Sequence, residues 1–165
     1  MKAYELFLLS SGITIDTRHV YKNQLFVALK GPNFNGNRFV EDALNQGAIG
    51  AIVDEEEAVV GEKCILVEDC LKCLQHMALK HRERFTIPVI GLTGSNGKTT
   101  VKELLQRGLS SQINVLATKG NFNNHIGVPL TLLRITKDHD IAIVEMGANH
   151  QGEIKSYCSW AKPSP

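Results

Sequence analysis

The segment Gly91-Leu92-Thr93-Gly94-Ser95-Asn96-Gly97-Lys98-Thr99-Thr100 constrains this chain more than any other. It stands between an apolar run, Val89 to Thr93, that reads as a strand, and a stretch from Thr99 to about Leu109, carrying Val101, Leu104 and Leu105, that reads as a helix. In a strand, glycine loop and helix of this kind, backbone N–H groups turn inward, the helix N-terminus adds partial positive charge, and a lysine adds a full one. A polyphosphate fits such a loop. The spacing is a variant: Leu92 stands where the general phosphate-loop pattern wants its first glycine, so the motif here is Gly94-x-x-Gly97-Lys98-Thr99-Thr100. The residues expected to hold the phosphates are Gly94, Ser95, Asn96, Gly97, Lys98, Thr99 and Thr100.

The Thr99 hydroxyl, next to the lysine, is placed to bind Mg²⁺ bridging two phosphates. One hydroxyl does not hold that ion by itself, so a carboxylate is expected at the end of a neighbouring apolar strand. Glu145 directly follows Ile141-Ala142-Ile143-Val144 and leads into Met146 to Ile154, which reads as a polar turn. Thr99 and Glu145 are therefore the candidate metal ligands, and Lys98 and Glu145 the candidate catalytic pair.

Around this motif the chain reads as α/β: a small amino-terminal α/β domain over 1–84, followed by part of a phosphate-loop, parallel-sheet domain over 85–165. The first contains strand-like Leu25 to Leu29, a Gly/Pro/Asn loop over Gly31 to Asn37 whose composition punctuates rather than packs, a helix bearing Phe39, Val40, Ala43 and Leu44, and a buried strand over Ala48 to Val53. The acidic run Asp54 to Glu57 reads as a solvated turn. Cys64 to Val67 gives another strand, and Leu71, Leu74, Met77 and Ala78 mark a helix ending in Lys80, His81, Arg82 and Arg84, where positive charge suits the macrodipole and requires no ligand. Asn114 to Thr118 and Ile141 to Val144 read as further strands, with a helix opening at Gly127.

With 18 Lys+Arg against 17 Asp+Glu in 165 residues, the net charge is +1. That disfavours a nucleic-acid backbone or an anionic membrane as the main partner. No apolar run approaches the ~20 residues of a membrane span, and the first residues lack a signal-peptide layout, so a cytoplasmic location is expected. The four cysteines form no zinc pattern, and Cys70 and Cys73 lie in a helical stretch, so they read as reduced, packed thiols.

These residues together resemble the ATP-dependent Mur ligases of peptidoglycan synthesis, whose phosphate loop reads like Thr93 to Thr100. Two further segments carry the resemblance, Gly120-Asn121-Phe122-Asn123-Asn124-His125-Ile126-Gly127-Val128-Pro129-Leu130-Thr131 and Glu145-Met146-Gly147-Ala148-Asn149-His150-Gln151-Gly152-Glu153-Ile154. They point to the member that adds D-Ala-D-Ala to UDP-N-acetylmuramoyl-tripeptide. Asp16-Thr17-Arg18 matches an Asp-Ser-Arg motif of the family's first domain, which holds the UDP end of the substrate and implies contacts from Thr17 and Arg18. Asn35-Gly36-Asn37 stands where the family often has Asp-Gly-His, and Lys119 where it often has Pro.

The resemblance implies ATP and Mg²⁺ as cofactors, an acyl-phosphate intermediate, small-molecule substrates and no required oligomer. It also implies that some of Asn121, Asn123, Asn124, Asn149 and His150 touch the substrate or its phosphate, while His125 reads as a solvated loop imidazole. Mur ligases have three domains, so the chain reads as an amino-terminal portion, inactive alone, with a second metal-site histidine, a carbamylated lysine and the adenine contacts beyond Pro165. Two alternatives stay open: another amide-bond ligase of the superfamily, and a non-catalytic nucleotide-binding module.

Overall fold

A computed structural model describes residues 2–164. The chain divides into two units, Met1–Leu74 and Gln75–Pro165, each taken by itself below.

The first unit comprises α1 (Lys2–Leu9), β1 (Ile13–Thr14), β2 (Leu25–Val27), β3 (Lys30–Gly31), β4 (Phe34–Asn35), α2 (Val40–Asn45), β5 (Gly50–Val53) and β6 (Cys64–Leu66). Its main sheet has the order β1-β2-β5-β6, and every pairing is parallel. Leu25, Phe26, Val27, Ala51, Ile52 and Val53 are completely buried, as continuous apolar strands covered on both faces must be. α1 adds Ala3, Tyr4 and Phe7 to this core. The sequence pattern does not announce that helix, because Leu8 and Leu9 put apolar groups on its exposed side too.

Two expectations for this unit are corrected. The 31–37 loop stays exposed over 31–34, but its end packs: β3 and β4 pair as an antiparallel hairpin, and Gly36 and Asn37 are buried. Nor is the start of the acidic run solvated. Asp54 accepts hydrogen bonds from Asn37 Nδ2 at 2.8 Å and from the Cys70 N–H at 3.2 Å, and pairs with Lys30 Nζ at 3.1 Å. Burial opposes its charge, but the Asn37 and Cys70 hydrogen bonds and Lys30 outweigh it and hold the carboxyl below its ordinary value. A charge run resembles a turn in sequence. Here Asp54 instead receives Asn37, which stands at the third position of the Asn-Gly-Asn departure.

The division between units falls within α3 (Cys70–Arg82). The second unit continues with β7 (Val89–Leu92), α4 (Lys98–Leu109), β8 (Val115–Ala117), α5 (Gly127–Leu132), β9 (Ile141–Glu145) and α6 (Glu153–Ala161). The sheet is parallel with order β7-β9-β8, α4 packs on β8 and β9, and α5 packs on β9 and α6. This is the parallel-sheet architecture expected of the chain. The carboxyl ends of all three strands open on one edge, where α/β sheets place their ligands.

The basic cluster ending α3 is a clamp more than a dipole partner. Arg82 is buried, and its guanidinium donates to the carbonyls of Ala161 at 2.9 Å, Phe85 at 2.6 Å, Ile87 at 3.2 Å and Lys162 at 3.3 Å. His81 is buried with Nε2 2.8 Å from the Ile135 carbonyl. The polar turn expected over 146–154 is also shorter than its composition suggests. Met146 is buried, and the Glu153 carboxylate gathers the N–H groups of Asn149 and His150 at 2.7 and 3.0 Å, closing the turn where α6 begins. The cysteines are free thiols; Cys70 is buried and its Sγ donates to the Ile52 carbonyl.

Candidate active site

The glycine loop leaves β7 at Leu92 and enters α4 at Lys98. Gly97, at φ 78°, makes the left-handed turn that starts the helix, a conformation L side chains rarely adopt. No side chain caps the helix there, and the N–H groups of Ser95 through Thr99 meet no protein acceptor among the described residues. Gly94 through Gly97 are exposed. An open run of unpartnered N–H groups at a helix N-terminus is the arrangement a phosphate completes. Lys98 folds back over the loop, and its Nζ donates to the Gly94 carbonyl.

Glu145 is the last residue of β9 rather than the first beyond it, and it is 1% exposed. Its register partner is Leu92, the residue from which the loop departs, so pairing of β7 with β9 brings carboxylate and loop together. The Thr99 hydroxyl lies 3.2 Å from Oε1 and 3.1 Å from Oε2 of Glu145. Asn123 Nδ2 donates to Oε1 at 2.8 Å, Lys102 Nζ is 3.4 Å from Oε2, and the Glu145 N–H donates to Thr118 Oγ1 at 2.9 Å. A hydroxyl and a carboxylate are hard oxygen donors, the kind Mg²⁺ selects, so Thr99 and Glu145 fit such an ion.

The other predicted residues separate. Asn123 joins the Glu145 cluster, and its carbonyl accepts the Gly147 N–H at 2.7 Å, tying the loop after β8 to the loop after β9. Gly127 is required here, because a Cβ would fall 2.3 Å from the Phe122 carbonyl carbon. Asn121 is exposed and offers its carbonyl to the Asn123 N–H. Asn124 spends its side-chain oxygen on the N–H groups of Ile126 and Gly127, in the turn that leads into α5. Asn149 and His150 lie exposed before α6, away from the Glu145 hydrogen bonds. Hydrogen bonds from the His150 and Asn149 N–H groups hold the Glu153 carboxyl below its ordinary value.

Thr17 and Arg18 lie in the first unit, in a 3-10 turn over Thr17–His19 capped by Asp16. The Arg18 guanidinium forks onto the Asp16 carboxylate at 2.6 to 3.1 Å and lowers its pKa to about 2. Arg18 remains largely exposed.

Two residues of the cluster carry no motif signal. Lys102 reads as one more charge on an amphipathic helix, yet it is 3% exposed, and Thr118 reads as a strand end. Lys102 follows Lys98 by one helical turn, which puts both on one side of α4; that spacing is the signal in the sequence.

Comparison with known proteins agrees with this architecture. Residues 10–89 match the family model described as Mur ligase family, catalytic domain, and residues 92–164 match the Mur ligase middle domain. A UDP-N-acetylmuramoyl-tripeptide--D-alanyl-D-alanine ligase of Synechocystis is 47% identical over 156 residues, covering 93% of this chain and 34% of that protein. The Bacillus subtilis protein of the same name is 42% identical, covering 92% and 34%. Among solved structures, a MurF ligase from Thermotoga maritima in complex with ADP superimposes with a TM-score of 0.82 at 35% identity, covering 94% of this chain and 36% of that one. MurF from Acinetobacter baumannii gives 0.84 at 38% identity, covering 93% and 34%. The chain thus spans about a third of the length of these relatives. With the catalytic-domain and middle-domain models matched in succession over most of its length, the chain belongs to the Mur ligase family.

Proposed function

We propose that this chain supplies the substrate-gripping and phosphate-gripping parts of an ATP-dependent ligase that joins D-Ala-D-Ala to UDP-N-acetylmuramoyl-tripeptide in peptidoglycan precursor synthesis. Residues 1–84 are the UDP-substrate domain, with Thr17 and Arg18 at the substrate, and residues 85–165 belong to the ATP-binding domain. The enzyme works in the cytoplasm on small molecules, inserts in no membrane and needs no oligomer. The names of the curated relatives and the ADP in the Thermotoga maritima complex support this reading. The observation that carries it is the Thr99 hydroxyl against the Glu145 carboxylate beside a loop of unpartnered N–H groups.

A carboxylate is a poor electrophile. Its oxygen therefore attacks the γ-phosphorus of ATP to give an acyl phosphate and ADP, and the amine of D-Ala-D-Ala then displaces phosphate. The obstacle is the approach of two anions, so fixed positive charge and aimed donors dominate catalysis. The N–H groups of Gly94 through Thr100 donate to phosphate oxygens, and Lys98 exchanges the Gly94 carbonyl for one of them. Thr99 and Glu145 would hold Mg²⁺, which supplies further charge neutralisation when bound. Asn123 orients Glu145. Some of Asn121, Asn123, Asn124, Asn149 and His150, in the loops at the strand ends, contact the substrate or its phosphate, and distant binding of UDP fixes the reacting carboxylate.

The test uses the intact protein carrying this chain. Phosphate release is expected only with UDP-N-acetylmuramoyl-tripeptide and D-Ala-D-Ala together, and Lys98→Ala should lower it by roughly 100-fold or more. Release with neither substrate present would exclude a ligase.

A further inference from the structure

Lys102 has no part in the mechanism above. We propose that it is the resident counter-ion of Glu145, a positioning residue that holds one carboxylate oxygen and competes with a divalent cation for it. This rests on Thr99 and Glu145 being the metal ligands.

Lysine is among the residues least often buried, yet in α4 Lys102 is the residue that is buried while the apolar Val101 and Leu104 stay exposed. Lys102 is 3% exposed, its Nζ 3.4 Å from Glu145 Oε2 and 3.2 Å from the Gly120 carbonyl. Among the described residues it is the one cation within ion-pair distance of Glu145. The carboxylate is thus divided: Oε1 takes the neutral Asn123 amide, Oε2 takes the ammonium, and the Thr99 hydroxyl reaches both. Each buried charge depends on the other, because removing one partner leaves the second desolvated and uncompensated.

A cation entering between Thr99 and Glu145 shares that carboxylate with the ammonium and is repelled by it. Lys102 therefore keeps Glu145 ordered before the metal arrives and weakens the metal's hold, a setting that favours exchange of the metal–nucleotide complex over permanent retention. Through Gly120 the same ammonium fastens the Asn121–Asn124 loop to the phosphate-loop helix.

Mn²⁺ binding without nucleotide to the full chain, followed by electron paramagnetic resonance, is measured beside thermal midpoints in EDTA and in Mn²⁺. Lys102→Met should have a lower midpoint in EDTA, recover it in Mn²⁺, and bind Mn²⁺ roughly tenfold tighter than the parent. Unchanged, weaker or absent binding, or a midpoint loss equal with and without Mn²⁺, overturns the proposal. Lys102→Arg should restore both parental values. If Lys102→Met does not fold, the double variant Lys102→Met/Glu145→Gln decides: with both charges gone it should regain stability in EDTA and ignore Mn²⁺, whereas a variant as unstable as the single one overturns the pairing. Glu145→Gln alone separates the two readings. Loss of Mn²⁺ binding there with no tightening in Lys102→Met removes only the counter-ion, while intact binding removes the metal assignment and the counter-ion with it.

Discussion

The Asn123 amide donates to Glu145 Oε1 at 2.8 Å while the Asn123 carbonyl accepts the Gly147 N–H at 2.7 Å, so one residue of the β8 loop holds both the last residue of β9 and the turn beyond it. The contact is close: a Cβ on Gly147 would lie 3.0 Å from Asn123 Cγ. The candidate carboxylate is thereby aimed from outside its own strand.

Asn123→Ala should cost about 1–3 kcal/mol, the usual loss when a buried charged acceptor gives up a hydrogen bond. Urea denaturation measures it. An unchanged midpoint would mean that Asn123 does not hold Glu145.

Gly127→Ala should destabilise by roughly 3 kcal/mol, because its new methyl group meets the Phe122 backbone, which has no flexible end to swing aside. Gly108 in α4 is the control, since a Cβ there meets nothing within 4 Å. Gly108→Ala should stabilise by about 0.5–1 kcal/mol through helix propensity. The pair is compared by denaturation, and equal responses would refute the close approach.

His81 gives a pH dependence of definite sign. Burial pushes its pKa below the ordinary 6.5, against the opposing pull of the Ile135 carbonyl. The folded chain thus binds fewer protons than the unfolded one below that value, and stability rises with pH. Its contribution is fully present above pH 6.5 and is lost as pH falls below it toward the lowered folded value. Urea midpoints from pH 7.5 down to 5 should fall, and His81→Gln should flatten the part of the slope due to this residue. A slope identical in the two proteins would count against it.

Sequence alone determined what depends on near neighbours. The apolar runs Leu25 to Val27 and Ile141 to Val144 announce strands covered on both faces, and the glycines before Lys98 announce a loop that ends in a helix, because backbone preference and burial act over a few residues. The parallel α/β class followed from that alternation. Tertiary structure decided what depends on strand pairing and on which polar groups lose water. Leu92 against Glu145 puts Thr99 on the carboxylate; Asn123 and Lys102 reach it from 22 and 43 positions away; Asp54, which reads as surface, receives Asn37 and the N-terminus of α3. Charge carries no address in a sequence. A lysine or aspartate becomes part of a site only when folding removes its solvent and leaves one partner of opposite sign, and that exchange is settled by contacts between residues far apart in the chain.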